Sequence, residues 1–160
     1  MISAITMNNT PEALGIALAV TARSFPAVIG FTVETDGRLA TGQPIGEAIQ
    51  EIDSATEVNP IYYMVNCAHP DHFEQVLRDR GDWLGRIGAV RANASRMSHA
   101  ELDESAELDD GNPTELGEDY RRLMDILPNL RVLGGCCGTD HRHVDAMGRA
   151  CGHAPHIAAE

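Results

Sequence analysis

Ile61-Tyr62-Tyr63-Met64-Val65-Asn66-Cys67 is a short apolar run, rich in β-favouring residues, that stops on an amide and a thiol. Pro60 precedes it, and a short helix is expected from Asp71 or His72 as far as Arg80. The same unit, a strand followed by an amphipathic helix, repeats to either side. Strands are expected over 1–7, 27–33, 86–92 and 131–134, in addition to 61–66. Thr10 is a suitable N-cap and Pro11 a suitable first residue for a helix running to about Ser24. Ile45, Ala48, Ile49, Ile52 and Ala55 recur at helical period, as do Leu116, Tyr120, Leu123, Met124 and Leu127. Thr139 or Asp140 caps a last helix with Val144, Met147 and Cys151 on one face. Five strand–helix units without hairpin signals predict an α/β fold with a parallel sheet and right-handed crossovers. The acidic stretch from His99 to Asn112 is too polar for core and reads as a solvated excursion, a loop with some helix.

The chain has 160 residues, with 24 Asp and Glu against 12 Lys and Arg, for a formal charge of −12. That length supports one real core. A surface of this sign repels phosphate backbones and anionic lipid, so neither nucleic acid nor a membrane surface is an expected partner. No apolar stretch approaches the roughly 18 residues of a membrane span, and the first ten residues lack the pattern of a signal peptide. The expected location is cytoplasmic.

Polar and reactive residues gather where strands end: Thr32 and Glu34, Asn66 and Cys67, Asn93, then Cys136-Cys137. In parallel α/β proteins the carboxyl ends of the strands share one side, and ligands bind there. Cys67, Cys136 and Cys137 are therefore expected to converge. Three thiolates suit zinc, which favours tetrahedral sulfur and nitrogen sites and keeps a fourth position open where it is catalytic. Neighbouring residues of a regular strand point to opposite faces, so Cys136 and Cys137 can share an ion only if the chain bends. Gly134-Gly135 before the pair and Gly138 after it permit that bend. In a cytosolic compartment the thiols stay reduced. Ordinary buried cysteine is the bland alternative, and for Cys151 the preferred one. His69, His72, His141 and His143 are rival ligands, expected mostly on loop or helix surfaces. Asn93 could supply a weak oxygen ligand that a substrate displaces.

Val65-Asn66-Cys67 and Gly134-Gly135-Cys136-Cys137-Gly138-Thr139, continued by residues 140–144, resemble the homocysteine S-methyltransferase family. Looser matches lie at 29–33, Glu34 to Gly37 and Ala92-Asn93-Ala94. The resemblance implies a (β/α)8 TIM-type barrel with zinc held by Cys67, Cys136 and Cys137, and substrate-binding positions at Asn66 and Asn93. It implies homocysteine and a methyl donor as small-molecule partners and a place in methionine biosynthesis. A metal-bound thiol loses its proton more readily, so the substrate would be held as thiolate, ready to attack the methyl donor. The match begins near the family's fourth strand. Residues 1–160 are thus expected to form one partial homocysteine-binding barrel domain, incomplete because about three βα units, including an Asp-Gly run, are missing. Many members carry a glutamate where Ile5 stands, so another thiol is an alternative to homocysteine. A second chain could supply the missing barrel segment.

The expected function is therefore a zinc-dependent S-methyltransferase acting on the thiolate of homocysteine or a related thiol. The alternative is a truncated, non-catalytic fragment that binds zinc or a thiol. A thiol redox protein using Cys136-Cys137 is weaker, because the Cys-x-x-Cys spacing is absent.

Overall fold

The computed structural model describes residues 1–58, 60–78 and 81–152. Five strands form one parallel sheet: β1 (Ile2–Met7), β2 (Ala27–Phe31), β3 (Tyr62–Asn66), β4 (Ile87–Ala92) and β5 (Val132–Gly135). Each strand lies beside its neighbour in sequence, in the order β1-β2-β3-β4-β5. A doubly wound sheet would reverse its order at a switch point, whereas adding each next strand on the same side is the order found in a (β/α)8 barrel. The sheet is open among the described residues, with β1 and β5 as edges. The structure thus bears out a five-stranded parallel α/β unit, in a strand order consistent with part of a TIM-type barrel, and eight-stranded closure is not seen among the described residues.

The connecting helices are α1 (Thr10–Thr21), α2 (Ile45–Ala55), α3 (Pro70–Leu77), the short α4 (His99–Glu104), α5 (Pro113–Ile126) and α6 (His141–Cys151). They cover one face of the sheet. Ile29 and Phe31 of β2, Tyr63 and Val65 of β3, and Val90 and Ala92 of β4 enter a core with Ala13, Ile49, Phe73, Leu116 and Tyr120 of the helices. Their strand neighbours point the other way, because side chains alternate along a strand. That second, inner face carries Gly30, Met64, Asn66, Ala89, Arg91, Val132 and Gly134, aligned by the register Met64↔Ala89↔Val132 and Asn66↔Arg91↔Gly134.

Several element ends differ from the sequence expectation, each for a local reason. Asn9, not Thr10, caps α1: its side chain accepts from the Glu12 N–H at 2.9 Å, while Thr10 is buried as the first helical residue. The α3 helix starts at Pro70 because the His69 imidazole accepts the Asp71 N–H; its expected end at Arg80 lies outside the described residues. A 3-10 turn over Asp82–Arg86, not foreseen, delays β4 to Ile87. The acidic stretch is largely exposed, as expected, and contains α4, started by a capping box between Ser98 and Glu101.

Candidate metal centre

Cys67 sits one residue past the end of β3 with φ at 56°, in the left-handed region that non-glycine residues rarely adopt. Four hydrogen bonds hold it there. Its N–H donates to the Arg91 carbonyl at 3.0 Å, and its carbonyl accepts from Asn93 Nδ2 at 3.0 Å and from the Thr32 hydroxyl at 3.3 Å. The Thr6 hydroxyl approaches Cys67 Sγ at 3.9 Å. This conformation turns the thiol away from the strand direction and over the carboxyl end of the sheet.

The Cys136-Cys137 pair leaves strand geometry as the glycines predicted. The Cys136 N–H still donates to the Ala92 carbonyl at 2.8 Å, continuing the ladder with β4. The Cys137 N–H instead donates to Asn93 Oδ1 at 3.1 Å, and the Cys136 carbonyl accepts from the Thr139 hydroxyl at 2.7 Å. Gly138 has φ at 77° and lies so close to the Asp109 carbonyl that a Cβ would come within 2.6 Å of it. No other residue type satisfies both demands.

The result is convergence. One ligand atom from each of Cys67, Cys136 and Cys137 lies within 4.8 Å of the others. Cys67 and Cys136 have Cα atoms 5.5 Å apart and sulfurs in direct contact, and Cys137 is exposed beside them. The sequence had pointed to three reduced thiols; two side chains aimed at one point also fall within bonding reach. Cys151 is half-buried beside the helical core, the structural position expected of it.

Both predicted amides are buried at the centre, and both are engaged. Asn93 reaches the Cys67 carbonyl with Nδ2 and the Cys137 N–H with Oδ1, so one side chain splints the two cysteine segments. Asn66 spends its amide on Thr6: Oδ1 accepts the Thr6 N–H at 3.0 Å and Nδ2 donates to the Thr6 hydroxyl at 2.8 Å. That bond spans β2, and it can do so because Gly30 lies beneath. A Cβ at Gly30 would come within 2.5 Å of Asn66 Oδ1. Neither Thr6 nor Gly30 was singled out from the sequence, since each acts only through a partner on a distant strand.

Of the four rival histidines, His141 is exposed at the start of α6 as expected, whereas the others are at least partly buried. His69 and His143 are buried, and half-buried His72 donates through Nε2 to the Arg96 carbonyl at 2.8 Å. His143 Nδ1 accepts the Asp140 N–H, and its Nε2 lies 2.8 Å from the Asp110 carbonyl, which fastens the acidic excursion to α6. His69 Nε2 lies 3.7 Å from Asp119 Oδ2, an oxygen with no hydrogen-bond partner among the described residues. Burial pushes the His69 imidazole down to about 4, against the opposing pull of Asp71, and burial raises the Asp119 carboxyl. His69, Asp71 and Asp119 also form a compact group of potential ligands. However, the His69 Nδ1 lone pair takes the Asp71 N–H, which leaves the proton on Nε2, facing Asp119. This group is a histidine–carboxylate brace behind the Cys67 loop.

A parallel sheet in barrel order, with thiols and buried amides at its carboxyl edge, places the molecule among α/β proteins that bind ligands at their strand ends. The family model described as Homocysteine S-methyltransferase matches residues 1–151, and the chain belongs to that family. Membership points to methyl transfer to a thiol, with homocysteine and a methyl donor as the substrates of the class. Among the described residues, no helix is long and apolar enough to cross a membrane.

Proposed function

We propose that this chain holds a zinc ion through Cys67, Cys136 and Cys137 and uses the site to bind a small thiol, homocysteine or a relative, for methylation. The observation that carries the reading is the meeting of three cysteines from two strand ends within 4.8 Å. Sulfurs sharing one tetrahedral ion at about 2.3 Å lie roughly 4 Å apart, so this donor set fits zinc with small side-chain rotations. Ligation needs thiolates, so the zinc form carries Cys67 and Cys136 reduced.

Bound zinc would supply a positive charge that keeps the substrate thiol deprotonated at neutral pH. The chain's own part is placement. Asn93 fixes the spacing of the two cysteine segments, and its Oδ1 keeps a second lone pair for the resting metal. Asn66 and Thr6 hold β1 against the inner face beside the site. Ile5, half-exposed on β1, offers no charge to a substrate amine, which keeps thiols other than homocysteine in view.

The open sheet favours one second reading, a zinc- or thiol-binding unit that does not turn over by itself. Parallel edges and an uncovered inner face need a partner segment to become a closed barrel. The test is metal content of the reduced protein followed by methyl transfer to homocysteine, with and without a supplied N-terminal barrel segment. One zinc per chain, lost in Cys136→Ala and in Cys137→Ala, is the expected outcome. Absence of zinc from the reduced wild-type chain would sink both readings. Zinc without methyl transfer in either setting would leave the binding unit and refute the enzyme.

A further inference from the structure

On the inner face of the sheet, one residue short of the cysteines, stands a single charge. Arg91 is the fifth residue of β4; Val90 and Ala92 on either side of it enter the helical core, so its side chain projects to the opposite face. There it lies in register between Asn66 and Gly134. The surrounding inner-face positions, Gly30, Met64, Ala89, Val132 and Gly134, are apolar or bare, and Asn66 is committed to Thr6. No acid occupies this face of the five strands. The Arg91 guanidinium therefore has neither an ion-pair nor a hydrogen-bond partner among the described residues.

Among the described arginines, Arg23, Arg38 and Arg131 also lack a carboxylate partner, but Arg91 is the one that stands within a strand of the sheet. Acids outnumber bases two to one, and Arg78, Arg86, Arg96, Arg121, Arg122, Arg142 and Arg149 are each paired with a carboxylate. A guanidinium presents five donors in a planar fork matched to a carboxylate. The direction of the side chain is informative as well. The Cβ position of Gly134 is 3.5 Å from Arg91 Cγ and 3.9 Å from its Nε, so the side chain leans across a bare residue of β5. Two residues further along that strand stands Cys136. On the other flank, the Arg91 carbonyl accepts the Cys67 N–H. The Arg91 side chain thus lies on the open face, over the strand that leads into Cys136 and next to the strand that leads into Cys67.

We infer that Arg91 is the anion anchor of the thiol site, selecting thiols that carry a carboxylate a short carbon chain away from the sulfur. The inference rests on the reading that the three cysteines hold a thiol-binding metal. Sulfur occupies the metal's open position, the chain of the ligand lies along the inner face over Gly134, and the carboxylate meets the guanidinium. Within a molecule of net charge −12, this inner-face cation supplies the local attraction that an anionic thiol would otherwise lack.

The experiment uses the full chain, reduced and loaded with cobalt(II), whose visible spectrum reports a change of ligand at the metal. Two probes of equal length are titrated, 4-mercaptobutanoate and 4-mercaptobutan-1-ol. The wild-type protein is expected to bind the carboxylate at least about tenfold more tightly, the worth of a charge-assisted hydrogen-bonded pair. Arg91→Met should abolish the preference while leaving the alcohol's affinity unchanged, and Arg91→Lys should restore part of it. Equal binding of both probes by the wild type overturns the role of Arg91 and leaves the thiol site standing. Failure of both probes to alter the spectrum overturns the thiol-site reading and this inference with it. Should Arg91→Met fail to fold, the two-probe comparison on the wild type and Arg91→Lys decides the matter alone.

Discussion

Gly30 shows how a residue without a side chain can govern a site it never touches. It leaves a gap through which Asn66 crosses β2 to grip Thr6, and a methyl group there meets Asn66 Oδ1 at 2.5 Å and Met64 Cε at 2.7 Å. Gly30→Ala is expected to cost about 1–3 kcal/mol in denaturant unfolding, the usual range for overpacking a tight interior. It should also speed hydrogen exchange at the Thr6 amide; an unchanged Thr6 rate would show that Asn66 has room to move. Sequence legibility divides along the same line. Cys67, Cys136, Cys137 and Asn93 announced themselves by residue type at strand ends. Gly30, Thr6 and the His69–Asp119 brace did not, because their roles come from pairing across strands and helices far apart in the chain. Arg91 could have been placed by strand parity, since it interrupts an otherwise apolar run, but its lack of an acidic neighbour is visible only once the strands are aligned.

Among the elements, α2 was the easiest to read and α6 is the most instructive. The apolar stripe of α2 fixed its ends as Ile45 and Ala55 without help from the rest of the fold. By contrast, the turn at Asp82–Arg86 carries no periodic signal, and the caps of α1 and α3 depend on which nearby side chain wins the first free N–H. The α6 cap was legible as Thr139 or Asp140, and Asp140 is the residue used. Desolvation raises its carboxyl pKa, but hydrogen bonds from the Arg142 backbone N–H and guanidinium outweigh it and hold the value at about 2. A depressed carboxyl stabilises the fold above its unfolded value, near 3.8, and that contribution is lost as pH falls through about 2. The unfolding midpoint of the wild type should therefore decline between pH 4 and pH 2 more steeply than that of Asp140→Asn, which keeps a capping oxygen but cannot titrate. Parallel curves for the two proteins would remove Asp140 from the acid response. Tyr120 provides the matching device under β5. Its buried hydroxyl accepts from the Ala92 N–H at 2.8 Å and lies between the Val90 and Gly134 carbonyls, linking α5 to β4 and β5.

For the whole molecule, the open sheet and the acidic surface act against each other. Both edge strands expose main-chain groups, and Ile5 and Val132 leave apolar surface on the inner face. A charge of −12 keeps copies apart at neutral pH, and that repulsion fades near the calculated pI of about 4.9. Sedimentation is expected to show a single small species at pH 7.5 in low salt and growing association as pH approaches 5 or as salt shortens the screening length. A size that does not change across that range would mean that the edges are not available for pairing. The alternation of strands and helices, and hence the parallel sheet, was readable throughout the chain. Closure was not, because five strands set an order and leave both edges open among the described residues.

The splint of Asn93 between two cysteine segments has a consequence for how the protein is made. Cys67 and Cys136 are separated by 69 positions, and the side chain that spaces them comes from a third strand between. During synthesis Cys67 emerges from the ribosome long before its companions, as a lone thiol that can neither hold an ion nor be held in place. The cluster comes into being only when residue 137 is free to dock on Asn93. On the proposed metal reading, loading follows the docking of residue 137, and until then the early thiol depends on the reducing power of its surroundings.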